Sequence, residues 1–119
     1  MIEIFLPIPT TSEANKFEFW AKSSQRHNTQ QLWVNIWFKN NKPKIDLPCT
    51  ITLIRLSPRP LDDDDNLPMA FKWIKDEVAT QIVDPERKLA AGRADDDKRL
   101  TWRYEQQKSK IKAIKIRIT

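Results

Sequence analysis

The sequence predicts a single α+β domain, spanning residues 1–119, in which a mixed β-sheet packs against two main helices. Alternating apolar segments and amphipathic stretches follow one another in the order strand, helix, strand, helix, strand, strand. The length of 119 residues is that of one domain of ordinary size. An apolar content of 39% with five tryptophans supports a modest core, so we expect a homodimer to bury part of the remaining apolar surface.

The first half of the chain predicts a strand, a helix and a second strand. Residues 2–6 alternate apolar and other side chains before two prolines, which is typical of a short strand. Polar residues prevail over positions 10–28, where we expect a loop. Thr29 is placed to cap a helix that continues to about residue 39. The apolar side chains on one face of that helix are Leu32, Trp33, Ile36 and Trp37. Residues 50–56 then predict the second strand.

The second half contains the most regular helical pattern. Asn66 is a favourable N-cap and Pro68 suits the first turn of a helix that continues to about residue 83, before Asp-Pro at residues 84–85. Its apolar stripe comprises Leu67, Ala70, Phe71, Ile74, Val78 and Ile82. Residues 100–105 and 114–118 alternate again, which predicts two strands joined by a tight connection.

The composition excludes several kinds of site. The single cysteine, Cys49, rules out an internal disulfide, and one cysteine with one histidine cannot build a structural zinc site. The single glycine, Gly92, leaves no glycine-rich phosphate loop. No apolar segment reaches the length of a membrane span, and the first residues lack the basic residues of a secretory signal. We therefore expect a cytoplasmic protein with no membrane partner and no small-molecule cofactor.

The distribution of charge is the main indication of function. The net charge is +5, yet seven of the sixteen acids lie in two short runs, residues 62–65 and 95–97. Clustered carboxylates suit Mg²⁺, which prefers oxygen ligands, and the many lysines and arginines suit phosphates. This pattern indicates metal-dependent chemistry on nucleic acid, and the alternative is that both runs are solvated turns.

Spacing selects candidate ligands within the two runs. Side chains two apart on an extended segment project to the same side, so Asp63 and Asp65 would face one site while Asp62 and Asp64 face solvent. As a helix cap, Asn66 favours the first pair, because it would hold Asp65 at a helix N-terminus that attracts phosphate. The third carboxylate would come from the second run, in which the eligible residues are Asp95, Asp96 and Asp97.

Lys72 lies on the flank of the predicted helix away from its apolar stripe. Helical side chains lean toward the N-terminus, so its ammonium would point toward the acidic run and stabilise charge on a phosphate. The alternative is a solvated ion pair with Asp76, four residues later.

Taken together, these features resemble a known family. The run Asp-Asp-Asp-Asn-Leu at residues 63–67 opens a helix, and an acidic group precedes a strand downstream. With Leu-Pro-Ile-Pro at residues 6–9 and Asn15, the pattern resembles the RusA-type Holliday junction resolvases, small homodimeric nucleases of bacteria and their prophages. The resemblance covers most of the chain, and its specific element is Asp-x-Asp-Asn-Leu.

The resemblance implies a Mg²⁺-dependent endonuclease, with Mn²⁺ as a substitute metal, that resolves four-way DNA junctions by paired nicks in DNA recombination and repair. The family's lysine falls at Met69, and Lys72, nearly one turn further, would replace it. The metal ligands that the resemblance implies are Asp63, Asp65 and Asp95, with Asp97 or Asp96 as the alternative third ligand.

The strands after the second acidic run are basic, which predicts salt-sensitive phosphate contacts. The residues assigned to these contacts are Lys98, Arg99, Arg103, Lys108 and Lys110. A lysine-rich sheet edge that prevents aggregation is the alternative. Two other functions stay open: a basic nucleic-acid-binding module without catalysis, and an interaction protein whose dimer surface uses the tryptophans. The first predicts binding without divalent-dependent nicking, and the second predicts no DNA binding at low salt.

Overall fold

The computed structural model describes residues 1–11, 20–61, 66–89 and 93–119, and its helices and strands follow the predicted order. The strands are β1 (Ile2–Leu6), β2 (Cys49–Ser57), β3 (Leu100–Lys108) and β4 (Ala113–Ile118). The helices are α1 (Trp20–Asn41), α2 (Asn66–Ala70) and α3 (Lys72–Val83), and a 3₁₀ turn at Ala94–Asp96 precedes β3. The prediction of an α+β domain with a mixed sheet is confirmed.

The sheet has the strand order β1-β4-β2-β3. β4 is antiparallel to both of its neighbours, whereas β2 and β3 run parallel, with Ile51 opposite Trp102. The connection between β3 and β4 is short, but the two strands are not adjacent, so a hairpin there is ruled out. β2 lies between them because it is buried along almost its whole length, and a central position pairs both of its edges.

The helices cover one face of the sheet. Val34 and Phe38 of α1, and Phe71, Ile74 and Val78 of the α2–α3 segment, belong to the same core as alternate residues of the strands. On α1 the buried positions recur every four residues, at Gln30, Val34 and Phe38. None of the described helices is long and apolar enough to cross a membrane.

Two details of α1 differ from the prediction. The helix starts by Trp20, so residues 20–28 are helical where a loop was expected. Only Trp37 of the predicted apolar face packs against the core, while Leu32, Trp33 and Ile36 are 56%, 41% and 45% exposed. The core-facing positions of α1 are Gln30, Val34 and Phe38, and Leu32, Trp33 and Ile36 lie on the other side of the helix. Gln30 is satisfied there in part by donating a hydrogen bond to the Pro9 carbonyl.

The segment predicted as one helix over residues 66–83 is two helices. Phe71 interrupts it, and its amide bonds the carbonyl of Pro68, three residues earlier, at 3.1 Å. This tighter turn lets the Phe71 side chain reach full burial beside Tyr104 of β3, with ring centroids 6.2 Å apart. The start of α3 is thereby fixed against the edge strand of the sheet.

Candidate functional site

Asp63 and Asp65 of the first acidic run, with Asp62 and Asp64, lie outside the described residues, as does Asn15. The described chain ends on one side at Leu61 and resumes at Asn66. Leu61 is held at β3: its amide donates to Gln106 Oε1 at 2.9 Å, and its carbonyl accepts from Gln106 Nε2 at 2.7 Å. Leu61 is thereby held at the open edge of the sheet, and Asn66 begins α2.

The three aspartates of the second run have different surroundings. The Asp95 side chain is 19% exposed and faces α3, and its backbone carbonyl accepts a hydrogen bond from the indole nitrogen of Trp102. Asp96 is exposed. Asp97 accepts hydrogen bonds from the Arg99 side chain at 3.0 and 2.8 Å, and these bonds hold the pKa of Asp97 at about 2. Of the three candidates, Asp95 is the one placed beside the helices.

Asp95 belongs to a compact charged cluster with Lys75 and Asp76. The Lys75 ammonium lies 3.9 Å from Asp95 Oδ2 and 5.2 Å from the centre of the Trp102 ring. The other oxygen, Asp95 Oδ1, is buried and accepts no hydrogen bond from the part of the chain that the structure describes. Burial, followed by the neighbouring Asp95 carboxylate, raises the pKa of Asp76 to about 6, against the opposing effect of Lys72 and Lys75.

Lys72 lies on the exposed side of α3, as the sequence predicts. Its ammonium is 5.0 Å from the ring centre of Trp73, and Trp73 stacks on His27 at 4.2 Å. A cation over an aromatic face is attracted to it, so this contact competes with any ion pair to Asp76. Among the described lysines, the ammonium placed against Asp95 belongs to Lys75.

The predicted nucleic-acid-binding residues do not form one surface. Lys98 and Arg99 lie beside the second acidic run, and Arg99 is paired with Asp97. Arg103 is on the face of β3 opposite to Trp102, because successive strand residues point to opposite sides. Lys108 and Lys110 lie at the far end of β3. Basic charge is thus distributed over both ends and the uncovered face of the sheet.

Sequence reasoning missed the roles of Lys75 and Asp76. The sequence indicates Asp76 only as a solvated ion-pair partner for Lys72, since a single acid on the flank of a helix is usually exposed. The available signal was the spacing: residues 72, 75 and 76 lie three and four apart, which places them on one side of α3. That this side meets Asp95 depends on the parallel pairing of β2 and β3, which local patterns do not specify.

The carboxylate oxygens of Asp76 and Asp95 are ligands of the kind that suits a hard divalent cation. Within the described residues, no three acidic, histidine or cysteine side chains converge as a metal site.

Comparisons with protein families, with characterised proteins and with solved structures found no match to this chain.

Proposed function

We propose that the chain is a Mg²⁺-dependent endonuclease of the RusA type, which acts on four-way DNA junctions as a homodimer. Asp63, Asp65 and Asp95 are its proposed metal ligands, with Asp76 beside them, and Mn²⁺ would substitute for Mg²⁺. The proposal combines the resemblance of residues 63–67 to that family with the charged cluster at the start of α3.

The observation that carries the proposal is the state of the Asp95 carboxylate. One of its oxygens is buried and has no hydrogen-bond partner among the described residues, although buried polar atoms nearly always have a partner. A second carboxylate, Asp76, lies close enough for the two to repel each other, which contributes to its raised pKa. A divalent cation would satisfy the buried oxygen and remove the repulsion, whereas Lys75 alone reaches only the other oxygen of Asp95.

A metal ion held by these carboxylates would lower the pKa of a bound water and would neutralise charge on the phosphate. Asp95 holds its place because the Trp102 indole anchors its backbone, and Lys75 is kept beside it by the same ring. The Lys75 ammonium, together with the Lys72 ammonium one turn earlier in α3, would stabilise the negative charge that develops on the scissile phosphate. Asp76 would hold Lys75 and Lys72 on the side of the helix that faces the substrate.

The alternative function is a basic nucleic-acid-binding module in which Asp95 and Lys75 form a purely structural ion pair. The distance of 3.9 Å between them favours this alternative, because it satisfies one charge without any metal. An assay of cleavage on a synthetic four-way junction distinguishes the endonuclease from the non-catalytic binding module. The proposal predicts Mg²⁺-dependent nicks in the junction, no nicks in a linear duplex of the same sequence, and none in EDTA. Junction binding without nicking supports the module, and no binding at low salt supports the interaction protein.

The exposed side of α1 is the proposed dimer surface. Leu32 and Ile36 are four residues apart and Trp33 lies next to Leu32, so the three form one apolar patch on the outside of the helix. Apolar patches of this kind are characteristic of contact surfaces. A dimer formed through this patch would present two acidic sites, related by a two-fold axis, to the two strands that a resolvase must cut.

A further inference from the structure

A basic cavity of about 660 Å³ lies at the carboxyl end of β2, away from the acidic cluster. It is bounded by the exit from β1, by α1, by the end of β2 and by the residue before β4. Its lining residues are Pro9, Thr10, Thr11, Arg26, Arg55, Ser57, Pro58, Arg59 and Lys112. Four of these nine described residues are arginine or lysine, and none of the nine is acidic.

Arg55 is the central residue of this cavity. It projects from β2 on the side of the sheet that the helices cover and is only 8% exposed. Its Nε donates to Thr10 Oγ1 at 3.1 Å and its Nη1 donates to the Arg59 carbonyl at 2.6 Å. Both partners are neutral, and within the described residues no carboxylate pairs with this guanidinium. Burial accordingly lowers the pKa of Arg55 from its ordinary value.

The hydrogen-bonding capacity of Arg55 is only partly used. A guanidinium has five N–H donors, and within the described residues two of them are used, in the bonds to Thr10 and Arg59. Donors on adjacent nitrogens match two oxygens of a phosphate, which is the usual bidentate contact of arginine. The two existing bonds also hold the guanidinium plane still, so little ordering is needed when an anion binds.

Other cations converge on the same place. Arg59 is exposed on the loop after β2, and Lys112 is exposed on the loop before β4. A second cavity, of about 360 Å³, shares Arg55 and Arg59 and adds Lys108 from β3. Like charges that converge repel one another, and among the described residues no carboxylate lines either cavity, so a bound anion would stabilise the arrangement.

A purely structural role for Arg55 is the competing explanation, since it ties the β1 exit to the loop after β2. That role explains the bonds to Thr10 and Arg59 but not the presence of Arg59 and Lys112 beside a buried cation. Asn or Gln would make the same two bonds without burying a charge.

We propose that this cavity is a phosphate-binding site, in which Arg55 makes a bidentate contact with a phosphate group and Arg59 and Lys112 supply further charge. The phosphate comes either from free inorganic phosphate or from the backbone of a polynucleotide, and the chemistry of recognition is the same. This proposal uses no residue of the acidic cluster, so it can be tested independently of the proposed nuclease activity.

The test is a titration with inorganic phosphate in EDTA, followed by amide and arginine Nε–H chemical shifts, with chloride at matched ionic strength as reference. The wild type should give saturable shifts at residues 55–59 and 112. Arg59→Gln should weaken binding about tenfold or more, as expected when one charged contact is lost. Because the Arg59 carbonyl stays in place, this variant keeps the bond to Arg55. Lys44→Gln removes one exposed lysine outside both cavities and should leave phosphate affinity unchanged.

A second arm identifies the source of the phosphate. A short single-stranded oligonucleotide without terminal phosphates is added to wild type, and inorganic phosphate is then used as competitor. Displacement of the oligonucleotide from the residues of the cavity assigns the site to backbone phosphate, and no shift at these residues with the oligonucleotide assigns it to free phosphate. Arg55→Lys keeps the positive charge but removes the paired N–H donors of the guanidinium, so this variant should bind phosphate more weakly than wild type. Absence of saturable shifts in the wild type, or equal affinity in Arg59→Gln, overturns the proposal, whatever the result of a cleavage assay.

Discussion

Replacing Asp76 with Asn should make the folded protein more stable at neutral pH, because its carboxylate is ionised there in unfavourable surroundings. Burial and Asp95 raise the pKa of Asp76 from 3.8 to about 6. At about 1.4 kcal/mol for each pH unit, this difference sets about 3 kcal/mol as the largest destabilisation that ionisation imposes. The side chain is only partly buried, so screening by solvent reduces the expected effect to about 1 kcal/mol.

The pH dependence has a defined direction. The unfolded chain releases the Asp76 proton near pH 3.8, whereas the folded protein keeps it up to about pH 6. Between these values the folded state binds more protons, so the free energy of unfolding decreases as the pH rises and then levels off. Asn has no proton to release. The stability gain of the Asp76→Asn variant should therefore be near zero below pH 3.8 and complete above about pH 6.

Urea unfolding followed by tryptophan fluorescence, in EDTA, measures this gain at several pH values across the range. Asp97→Asn is the matched control, because Arg99 holds the pKa of Asp97 at about 2 and its ionised form is favoured in the folded state. That variant should gain no stability at neutral pH. If Asp76→Asn is no more stable than wild type at neutral pH, or gains as much in acid, the electrostatic account of the cluster is wrong.

Two further predictions concern catalysis and assembly. Lys75→Met should slow single-turnover junction cleavage at saturating Mg²⁺ by on the order of tenfold to a thousandfold. Lys72→Met should slow cleavage less, because the Lys72 ammonium lies over the Trp73 ring. A larger effect of Lys72→Met than of Lys75→Met would contradict the catalytic role proposed for Lys75. Ile36→Glu should convert the dimer into a monomer, as measured by sedimentation at micromolar concentration, since it places a charge in the apolar patch of α1. The control variant Lys44→Glu should remain a dimer. A monomeric wild type would contradict the proposed dimer.

Much of the fold follows from local patterns in the sequence. The alternation over residues 50–56 predicted β2 within one residue of its bounds. The apolar stripe after Asn66 predicted helical structure up to about residue 83, but not its division into α2 and α3 at Phe71. The pairing of the last strands did not follow, because alternation identifies a strand without identifying its neighbour. β2 lies between β3 and β4 since the most buried strand takes the centre of the sheet, which is a property of the whole fold.

The candidate site was predictable to a similar extent. Clustering of acids pointed to residues 95–97, but all three aspartates have the same local pattern. Asp95 is distinguished by its contacts with Lys75 and Trp102, which are tertiary. Lys75 and Asp76 reach Asp95 through tertiary packing of α3 on the turn before β3, which no spacing in the sequence encodes. The basic cavity is likewise built from four separate parts of the chain and has no sequence motif.

The most direct test of the central claim compares Asp95→Asn with Asp97→Asn in Mg²⁺-dependent cleavage of a four-way junction. The two substitutions remove the same charge two residues apart, but only Asp95 faces α3, whereas Asp97 is occupied by Arg99. The account predicts that Asp95→Asn binds the junction as tightly as wild type, or more tightly, and does not cut it, while Asp97→Asn cuts at nearly the wild-type rate. Wild-type cleavage by Asp95→Asn, or no cleavage by the unmodified protein, would contradict the assignment of a metal-dependent nuclease site to this cluster.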